Sequence, residues 1–309
     1  MALYLTNEDV RRLLTTAECV DVLDDLFQQE ARGLVENLPR KRRRFGNASS
    51  TLMGGTALGS GAYVVRHQAV NLLFSTETGK LDAVIQPSAL AWIRTGAASG
   101  VATKYMAREN ASVVGIIGSG HQAITQLEGV CAVRSVKRVK VYSRTRENRE
   151  RFAKEMEDQL EAEVVPVGSA EECVRGADVV VTITNSREPV LAGDLLQPGM
   201  HVNAAGGNSW TRREIDEAAV ARCDPIVVDN LEQAKMECGD LLWPFERGSF
   251  RWQQAVELHE VIGGKVSGRP KEDSITLFES QGIGTEDTAA SAYVFKKAKE
   301  QGIGQELPF

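Results

Sequence analysis

Residues 113–123, with the sequence VVGIIGSGHQA, have the residue types and spacing of a dinucleotide-binding turn. A short β-branched apolar run predicts a buried strand, which a glycine turn and a helix then follow. Gly118 permits the tight turn, Gly120 lets the backbone approach a pyrophosphate, and the small Ala123 lets the helix pack on the strand. The phosphates are expected at the helix N-terminus, where the helix dipole favours an anion. The alternative is an ordinary strand-to-helix turn. The predicted cofactor-binding residues of this turn are Gly118, Gly120, His121, Gln122 and Ala123.

The second strand of this predicted unit, residues 139–142, leads into the segment SRTR at 143–146. In sites that prefer NAD(H), an acid near the end of this strand binds the ribose hydroxyl, and no carboxylate stands here. The planar guanidinium of Arg144 can instead pair with a 2′-phosphate in a bidentate way. We therefore predict that NADP(H) is favoured over NAD(H), with contacts from Ser143, Arg144 and Thr145. The competing interpretation is a surface loop before a helix over residues 146–160.

Two later strands end in polar or glycine-rich segments, Thr184-Asn185 and Gly206-Gly207-Asn208. In an open α/β sheet, ligands bind in the crevice at the carboxyl ends of the strands. We therefore predict that Thr184, Asn185 and Gly206 contact the cofactor and that Asn208 lies at the crevice floor. Asn208 could instead serve only its own turn.

Arginines before the glycine turn could bind an anion. Arg94 stands at the head of an alanine-rich helix that begins at Leu90, beside Thr95 and Gly96. A buried arginine needs a partner, and contact of Arg94 with an anion is favoured over a structural salt bridge. The basic run PRKRRR at 39–44 predicts a solvated loop for most of its residues, with one or two arginines directed into an anion site.

The elements that must position these residues change in type along the chain. A helical N-terminal segment is predicted for residues 6–33, and a meander of strands then precedes the glycine turn, which implies an antiparallel sheet. After the turn, strands and helices alternate, as a parallel sheet requires. The predicted strands are 52–58, 61–66, 72–75, 81–85, 113–117, 139–142, 164–167, 177–184 and 226–229. The predicted later helices are 90–105, 146–160, 170–175, 214–221 and 289–299.

Composition excludes several classes of protein. The chain has 309 residues, enough for two domains, and its net charge of −6 argues against general nucleic-acid binding. No apolar run reaches the length of a membrane span, and no basic apolar leader opens the chain. The five cysteines form no CxxC pair and the four histidines are dispersed, which favours a reducing cytoplasm and predicts no metal site and no disulfide framework.

Several motifs in this order resemble the ornithine cyclodeaminase/μ-crystallin family. They are RTGAAS at 94–99, GSGHQA at 118–123, AAGGN at 204–208 followed by Glu214, and GIGTED at 282–287. The resemblance covers nearly the whole chain. It implies an α/β fold, in which a Rossmann-type doubly wound sheet is joined to a mixed α+β domain that binds substrate and dimerises. The expected bounds are 112–287 for the dinucleotide-binding domain, with 1–111 and 288–309 forming the other domain.

The resemblance also implies roles for individual residues. The family's two carboxylate-binding arginines fall on Arg40 and Arg94, with Arg42 as a rival for the first position. Two such forks can hold an α-carboxylate while hydride arrives at the adjacent carbon. The segment 143–145 is similar to that of members that use NADPH, and Thr95 is expected beside the cofactor.

This sequence departs from the family pattern at two positions. Tyr63 stands where many members have a lysine, and Asn208 stands where the cyclodeaminases have a functional aspartate. An amide cannot take a proton from an ornithine amine, so the sequence argues against cyclodeamination.

The predicted function is NAD(P)H-dependent reduction of a 2-imino acid or cyclic ketimine to an amino acid, or the reverse dehydrogenation. The proton would come from Tyr63 or from water. Arg66 and His67 add positive charge or hydrogen-bonding groups, so a dicarboxylic substrate is a further alternative. The alternatives are an ammonia-lyase of the cyclodeaminase type with bound NAD, and a crystallin-like binding protein without turnover. The expected partners are a small imino or amino acid and a second copy of the chain, without nucleic acid or membrane.

Overall fold

The computed structural model describes residues 2–308, which form two β-sheets with helices packed between and around them. The first sheet is mixed, with seven strands in the order β15-β1-β6-β5-β4-β3-β2. In this sheet β1 runs parallel to β6, and all other neighbours are antiparallel. Its strands are β1 (Leu3–Leu5), β2 (Val35–Phe45), β3 (Ala48–Ala57), β4 (Ala62–His67), β5 (Val70–Ser75), β6 (Leu81–Ile85) and β15 (Gln305–Glu306).

The second sheet has eight parallel strands in the order β13-β12-β14-β11-β10-β7-β8-β9. The chain order reverses at β7, between β10 and β8, so the crevice at a Rossmann switch point lies at the carboxyl end of β7. The fold class is therefore the predicted one, a Rossmann-like sheet joined to a mixed sheet. The strands are β7 (Val113–Ile117), β8 (Arg138–Tyr142), β9 (Glu163–Pro166), β10 (Val179–Thr182), β11 (His201–Ala204), β12 (Ile226–Val228), β13 (Ala255–Glu257) and β14 (Thr276–Glu279).

Helices pack on both sheets, and the two sheets are joined through a close contact between α3 (Pro87–Met106) and α4 (His121–Val133). A Cβ at Gly96 would lie 2.0 Å from the carbonyl oxygen of Thr125, so this crossing requires glycine. No helix of residues 2–308 is both long and apolar enough to span a bilayer. The helices are α1 (Asn7–Leu13), α2 (Thr16–Ala31), α3 (Pro87–Met106), α4 (His121–Val133), α5 (Arg146–Glu157), α6 (Ala170–Val174), α7 (Glu217–Arg222), α8 (Leu231–Glu237), α9 (Gly239–Glu246), α10 (Leu258–Ile262) and α11 (Gly284–Gln301).

The mixed sheet has two unlike faces, which the pairing register defines. Its inner face is buried against α11 and includes Met53, Ala57, Ala62, Val64, Leu73 and Ile85. Its outer face carries apolar side chains that are exposed or half-buried, namely Leu38, Leu52, Tyr63, Val65, Leu72 and Phe74. Arg66 pairs with Met53 and so belongs to the inner face.

The prediction of a solvated loop at residues 39–44 is wrong, because this run lies inside β2. Its backbone pairs with β3, and a register shift between Leu38 and Lys41 marks a bulge. The side chains beyond the bulge alternate between the two faces, so Arg42 points inward while Arg43 points outward. A run of basic residues is tolerated in this strand because most of their side chains remain exposed.

Three helix predictions also need correction. The N-terminal segment is two helices, since Thr15 caps a new helix through a capping box with Glu18. The last helix begins at Gly284, five residues before the predicted start. Glu214 precedes α7 and is not part of a helix.

Candidate active site

The turn between β7 and α4 has the geometry that a bound pyrophosphate requires. Gly118 adopts a φ of +124°, and a Cβ there would lie 2.3 Å from the carbonyl oxygen of Ile183 at the end of the neighbouring strand. A Cβ at Gly120, in contrast, would meet no protein atom within 4 Å. The open space beside the Gly120 backbone, at the first turn of α4, therefore fits the phosphates of a dinucleotide.

A cleft of about 540 Å³ opens from this turn along the carboxyl ends of the parallel strands. Ten of the twelve predicted cofactor contacts line it: Gly118, Gly120, His121, Gln122, Ser143, Arg144, Thr145, Thr184, Asn185 and Gly206. Ala123 lies behind the cleft, fully buried where α4 packs on the sheet. Thr95 lines a neighbouring cavity instead.

The loop after β8 is held on both sides, while Arg144 projects from it. The hydroxyl of Ser119 donates to Ser143 Oγ at 2.9 Å, and Arg149 Nη1 donates to the Ser143 carbonyl at 2.8 Å. The Arg144 side chain is exposed, lines the cleft, and makes no hydrogen bond or ion pair within residues 2–308. Its guanidinium is therefore available to a ligand.

A buried carboxylate ties the strand ends of the cleft together. Glu214 accepts hydrogen bonds from the amides of Thr184 at 2.5 Å and Gly206 at 2.7 Å, and from Thr182 Oγ1 at 3.0 Å. Asp240 in turn accepts from the Glu214 amide at 2.7 Å. Burial raises the pKa of Glu214, and the hydrogen bonds oppose this rise. This acid fixes the loops after β10 and β11 in position, a role that its sequence context did not indicate.

A second, smaller cavity of about 290 Å³ adjoins the cleft and is lined by four arginines, Arg40, Arg42, Arg66 and Arg94. Gln122, Ala205 and Asn208 line both spaces, so the two form one continuous site. The other lining residues are mostly small or polar, and Met53 is the one large apolar side chain among them. A cavity of this size and polarity suits a small charged ligand.

Two of the arginines share one buried acid, Glu237 of α8. Arg40 Nη1 pairs with Glu237, and Arg40 Nη2 donates to the carbonyls of Gln281 at 3.1 Å and Gly282 at 2.6 Å. Arg42 Nη1 contacts Glu237 at 2.5 Å, and Arg42 Nη2 donates to the carbonyl of Asn208 at 2.8 Å. Burial lowers the pKa of Arg40 to about 10. Both guanidiniums are therefore anchored at the cavity wall, Arg40 more rigidly.

The other two arginines are held by acids in the first turn of α11, where the helix dipole stabilises negative charge. Arg94 Nη1 donates to Glu286 Oε2 at 2.9 Å, and Arg94 Nη2 lies 3.7 Å from Asp287 Oδ2. Arg66 Nη1 donates to Asp287 Oδ1 at 2.6 Å. Burial raises the pKa of Glu286, although the charge of Arg94 opposes this rise.

Tyr63 is not brought into this site. It lies on the outer face of the mixed sheet, where its ring stacks on Phe74 with centroids 4.8 Å apart, and it lines neither the cleft nor the cavity. Arg66, three residues later and on the opposite face, does line the cavity. Of the four predicted catalytic residues, the structure brings together Arg40, Arg94 and Asn208.

Residues 25–302 match the model of the ornithine cyclodeaminase/mu-crystallin family. A Delta(1)-pyrroline-2-carboxylate reductase from Bacillus cereus is 38% identical over 77% of this chain and 73% of its own length.

Two solved structures are similar over the whole chain. The Thermococcus litoralis Delta(1)-pyrroline-2-carboxylate reductase, in complex with NADH and L-proline, has a TM-score of 0.94 at 32% identity, covering 99% of this chain and all of that one. An archaeal alanine dehydrogenase dimer with bound NAD has a TM-score of 0.90 at 32% identity, covering 100% and 99% of the two chains. This chain therefore belongs to the ornithine cyclodeaminase/mu-crystallin family, as an NAD(P)-dependent oxidoreductase of the imino-acid reductase and amino-acid dehydrogenase type.

Proposed function

We propose that this protein reduces the C=N bond of a 2-imino acid or cyclic ketimine to an amine, or catalyses the reverse dehydrogenation. The observation that carries this proposal is the continuity of the dinucleotide cleft with the arginine-lined cavity through Gln122, Ala205 and Asn208. A substrate in the cavity would meet the reactive end of a cofactor in the cleft at these residues. The bound cofactor would supply the hydride, and the chain supplies binding and orientation.

The α-carboxylate of the substrate is assigned to Arg40 and Arg94, with Arg42 as the alternative to Arg40. Arg40 and Arg94 are both buried and held by fixed acceptors, so their forks lose little freedom when a carboxylate binds. A rigidly held carboxylate keeps the adjacent imine carbon in one position as the hydride arrives.

The proton for the new amine is assigned to water. Tyr63 lines neither the cleft nor the cavity, which leaves that side chain without a path to the substrate nitrogen. Asn208 lines both spaces and offers a neutral hydrogen bond near the reacting atoms.

NADP(H) is the proposed cofactor, with NAD(H) as the alternative. The proposal rests on the free, exposed guanidinium of Arg144 beside the cleft and on the absence of an acid in residues 142–146. The two solved relatives are in complex with NADH and NAD, which supports a nicotinamide cofactor for this chain. The proposal that the cofactor carries a 2′-phosphate rests on Arg144 and not on these relatives. A homodimer through the outer face of the mixed sheet completes the proposal.

The direct test is oxidation of NADPH and NADH by the purified protein, followed by absorbance. The substrates are pyrroline-2-carboxylate, piperideine-2-carboxylate, and pyruvate, glyoxylate or oxaloacetate with ammonia or methylamine. We expect catalytic oxidation with at least one imine and formation of the matching amino acid. No turnover with any of them would overturn the proposal.

A second assay separates reduction from cyclodeamination. The protein is incubated with ornithine and NAD, and proline and ammonia are measured. We expect neither product, because the amide of Asn208 has no proton affinity comparable with that of a carboxylate. Proline formation at a catalytic rate would refute the assignment as a reductase.

A further inference from the structure

A third space, which we call the vestibule, opens beside the cleft and the small cavity. It measures about 500 Å³ and is lined by Arg42 of β2, by Asn185 and Arg187 after β10, and by Asn208 and Arg212 after β11. Asn208 lines all three spaces, and Arg42 lines both the vestibule and the small cavity. The vestibule therefore adjoins the arginine-lined cavity directly.

The vestibule lies at the end of the cleft where the reactive part of the proposed cofactor belongs. The adenosine ribose is expected at the end of β8, so the dinucleotide extends across β7 toward the ends of β10 and β11. Asn185 and Arg212 line both that end of the cleft and the vestibule. A cofactor would fill the cleft, and the vestibule would then be an open approach to the cavity from solvent.

Two arginines of the vestibule have donors that no protein group uses. Within residues 2–308, the side chains of Arg187 and Arg212 make no hydrogen bond or ion pair, and Arg187 is exposed while Arg212 is half-buried. Arg42, in contrast, is paired with Glu237. No acidic side chain in this part of the chain lines the vestibule. Its two unpaired guanidiniums are therefore available to an anion from solvent.

The neighbouring acids do not neutralise these two arginines. Glu188 pairs with Arg213 at 3.3 Å. Glu214 and Asp240 are buried and accept hydrogen bonds from backbone amides. Burial raises the pKa of both buried acids, that of Asp240 to about 7, so their negative charge is reduced near neutral pH. The vestibule thus keeps a positive charge.

We propose that the vestibule is an entry site that captures small carboxylate anions and passes them to the cavity, with Arg187 and Arg212 as its anion-binding groups. This inference rests on the proposed function and adds a site that the substrate occupies before the chemistry. A positive entrance raises the local concentration of anions and their association rate. Because it does not touch the reacting atoms, it changes kcat/KM and leaves kcat alone.

The kinetic test uses the double variant Arg187→Gln/Arg212→Gln at saturating NADPH, with pyrroline-2-carboxylate or, where that is not reduced, pyruvate with ammonia. At an ionic strength of about 10 mM, we expect kcat/KM for the imine to fall by about tenfold and kcat to stay within about twofold of the wild type. At about 1 M, where the screening length is about 3 Å, the difference in kcat/KM should shrink to about twofold or less.

The matched control is Arg12→Gln/Arg32→Gln. It removes two exposed positive charges, on α1 and at the end of α2, from residues that line none of the three spaces. Its kcat/KM should equal that of the wild type at both ionic strengths. This control separates the vestibule from the net charge of the molecule.

The outcomes distinguish the entry site from other roles. Equal kcat/KM in the vestibule variant and the control would overturn it. A loss that persists at about 1 M would make the two arginines short-range contacts of the bound substrate, and an equal rise of the KM for NADPH would make them cofactor contacts; either result also overturns it. If the wild type reduces no imine, the proposed function fails, and the vestibule is judged by fluorescence alone.

Trp210 provides that fluorescence measurement, which needs no turnover. Its side chain is 63% exposed between Ser209 and Thr211, which both line the vestibule. Its emission is isolated by comparing each protein with its Trp210→Phe form. At low ionic strength, iodide should quench this emission about twofold or more better in the wild type than in the vestibule variant. The neutral quencher acrylamide should act equally on both, which controls for exposure. Equal quenching by iodide would overturn the proposal.

Discussion

Arg144 is the residue on which the proposed preference for NADP(H) depends. Its guanidinium is exposed beside the cleft, and within residues 2–308 it makes no hydrogen bond or ion pair that replacement would remove. Arg144→Ala should therefore raise the KM for NADPH by about ten- to a hundredfold and change that for NADH much less. Arg175→Ala is a matched control, since that arginine is exposed at the end of α6 and its side chain pairs with Glu171 alone among the described residues 2–308. Equal losses for both cofactors, or none, would remove the assignment of a 2′-phosphate contact.

The proposed binding of the substrate carboxylate by Arg40 and Arg94 can be tested at Arg94. Arg94→Lys keeps the positive charge but loses the planar fork that contacts Glu286 and can hold a carboxylate. We expect kcat/KM for the imine to fall by about tenfold or more, with the affinity for NADPH little changed. Arg43→Lys serves as the control on an exposed arginine. If the Arg94→Lys enzyme is folded, as judged by circular dichroism, and fully active, Arg94 does not bind the substrate and its role is the structural salt bridge.

The chemical role of several single residues could be predicted from the sequence, but the residues that hold them in place could not. Arg94 and the glycine turn can be predicted from local sequence. An arginine beside small residues and a strand–glycine–helix pattern are both short-range signals. Glu237 and Glu286, which hold Arg40 and Arg94, lie 197 and 192 residues away along the chain. No local pattern reports such pairings. For Tyr63 the strand was predicted correctly, but the face of the sheet on which its side chain lies was not. Successive side chains of a strand point to opposite faces, so a shift of one residue moves a side chain out of the site.

At the scale of elements, the alternation of strands and helices in residues 113–204 follows the predicted order, and the elements that were missed are short or interrupted. Strand β14 has four residues and lies between β11 and β12, far from its place in chain order. Helix α9 contains Pro244, which disguises its pattern. The basic run in β2 has the composition of a loop, because residues 41–45 are exposed on both faces of the strand and therefore show no apolar alternation.

Two glycines on the elements that flank the cleft should respond differently to a methyl group. Gly96→Ala would place a Cβ 2.0 Å from the Thr125 carbonyl oxygen where α3 crosses α4, so we expect a loss of about 1–3 kcal/mol in the free energy of unfolding. Gly120→Ala meets no protein atom within 4 Å, so its stability should be close to that of the wild type while its Kd for NADPH rises. Thermal unfolding and cofactor titration of the two variants decide the matter. Destabilisation by Gly120→Ala, or unchanged cofactor binding, would contradict a pyrophosphate contact at that turn.

At the scale of the whole molecule, charge is distributed unevenly. The chain carries a net charge of −6, yet the small cavity is lined by four arginines. A positive recess in a negative surface focuses the field on anions of substrate size and does not attract extended polyanions. The negative charge of the chain as a whole therefore disfavours nucleic acid, while the arginines of the cavity favour a small anionic substrate.

The outer face of the mixed sheet is the surface through which we expect two copies of the chain to associate. Leu38 and Leu52 are 53% and 46% exposed on it, beside the half-buried Tyr63. An apolar sheet face of this kind is costly to leave in water and is typical of a subunit interface. The double variant Leu38→Lys/Leu52→Lys should therefore shift a dimeric wild type toward monomer in light scattering with little change in fold, since both side chains already face outward. Phe245→Lys, at a comparably exposed position of 41% on α9, is the control and should leave the oligomeric state unchanged. A wild type that is monomeric at all concentrations, or a double variant that remains dimeric, would show that this face is not the interface.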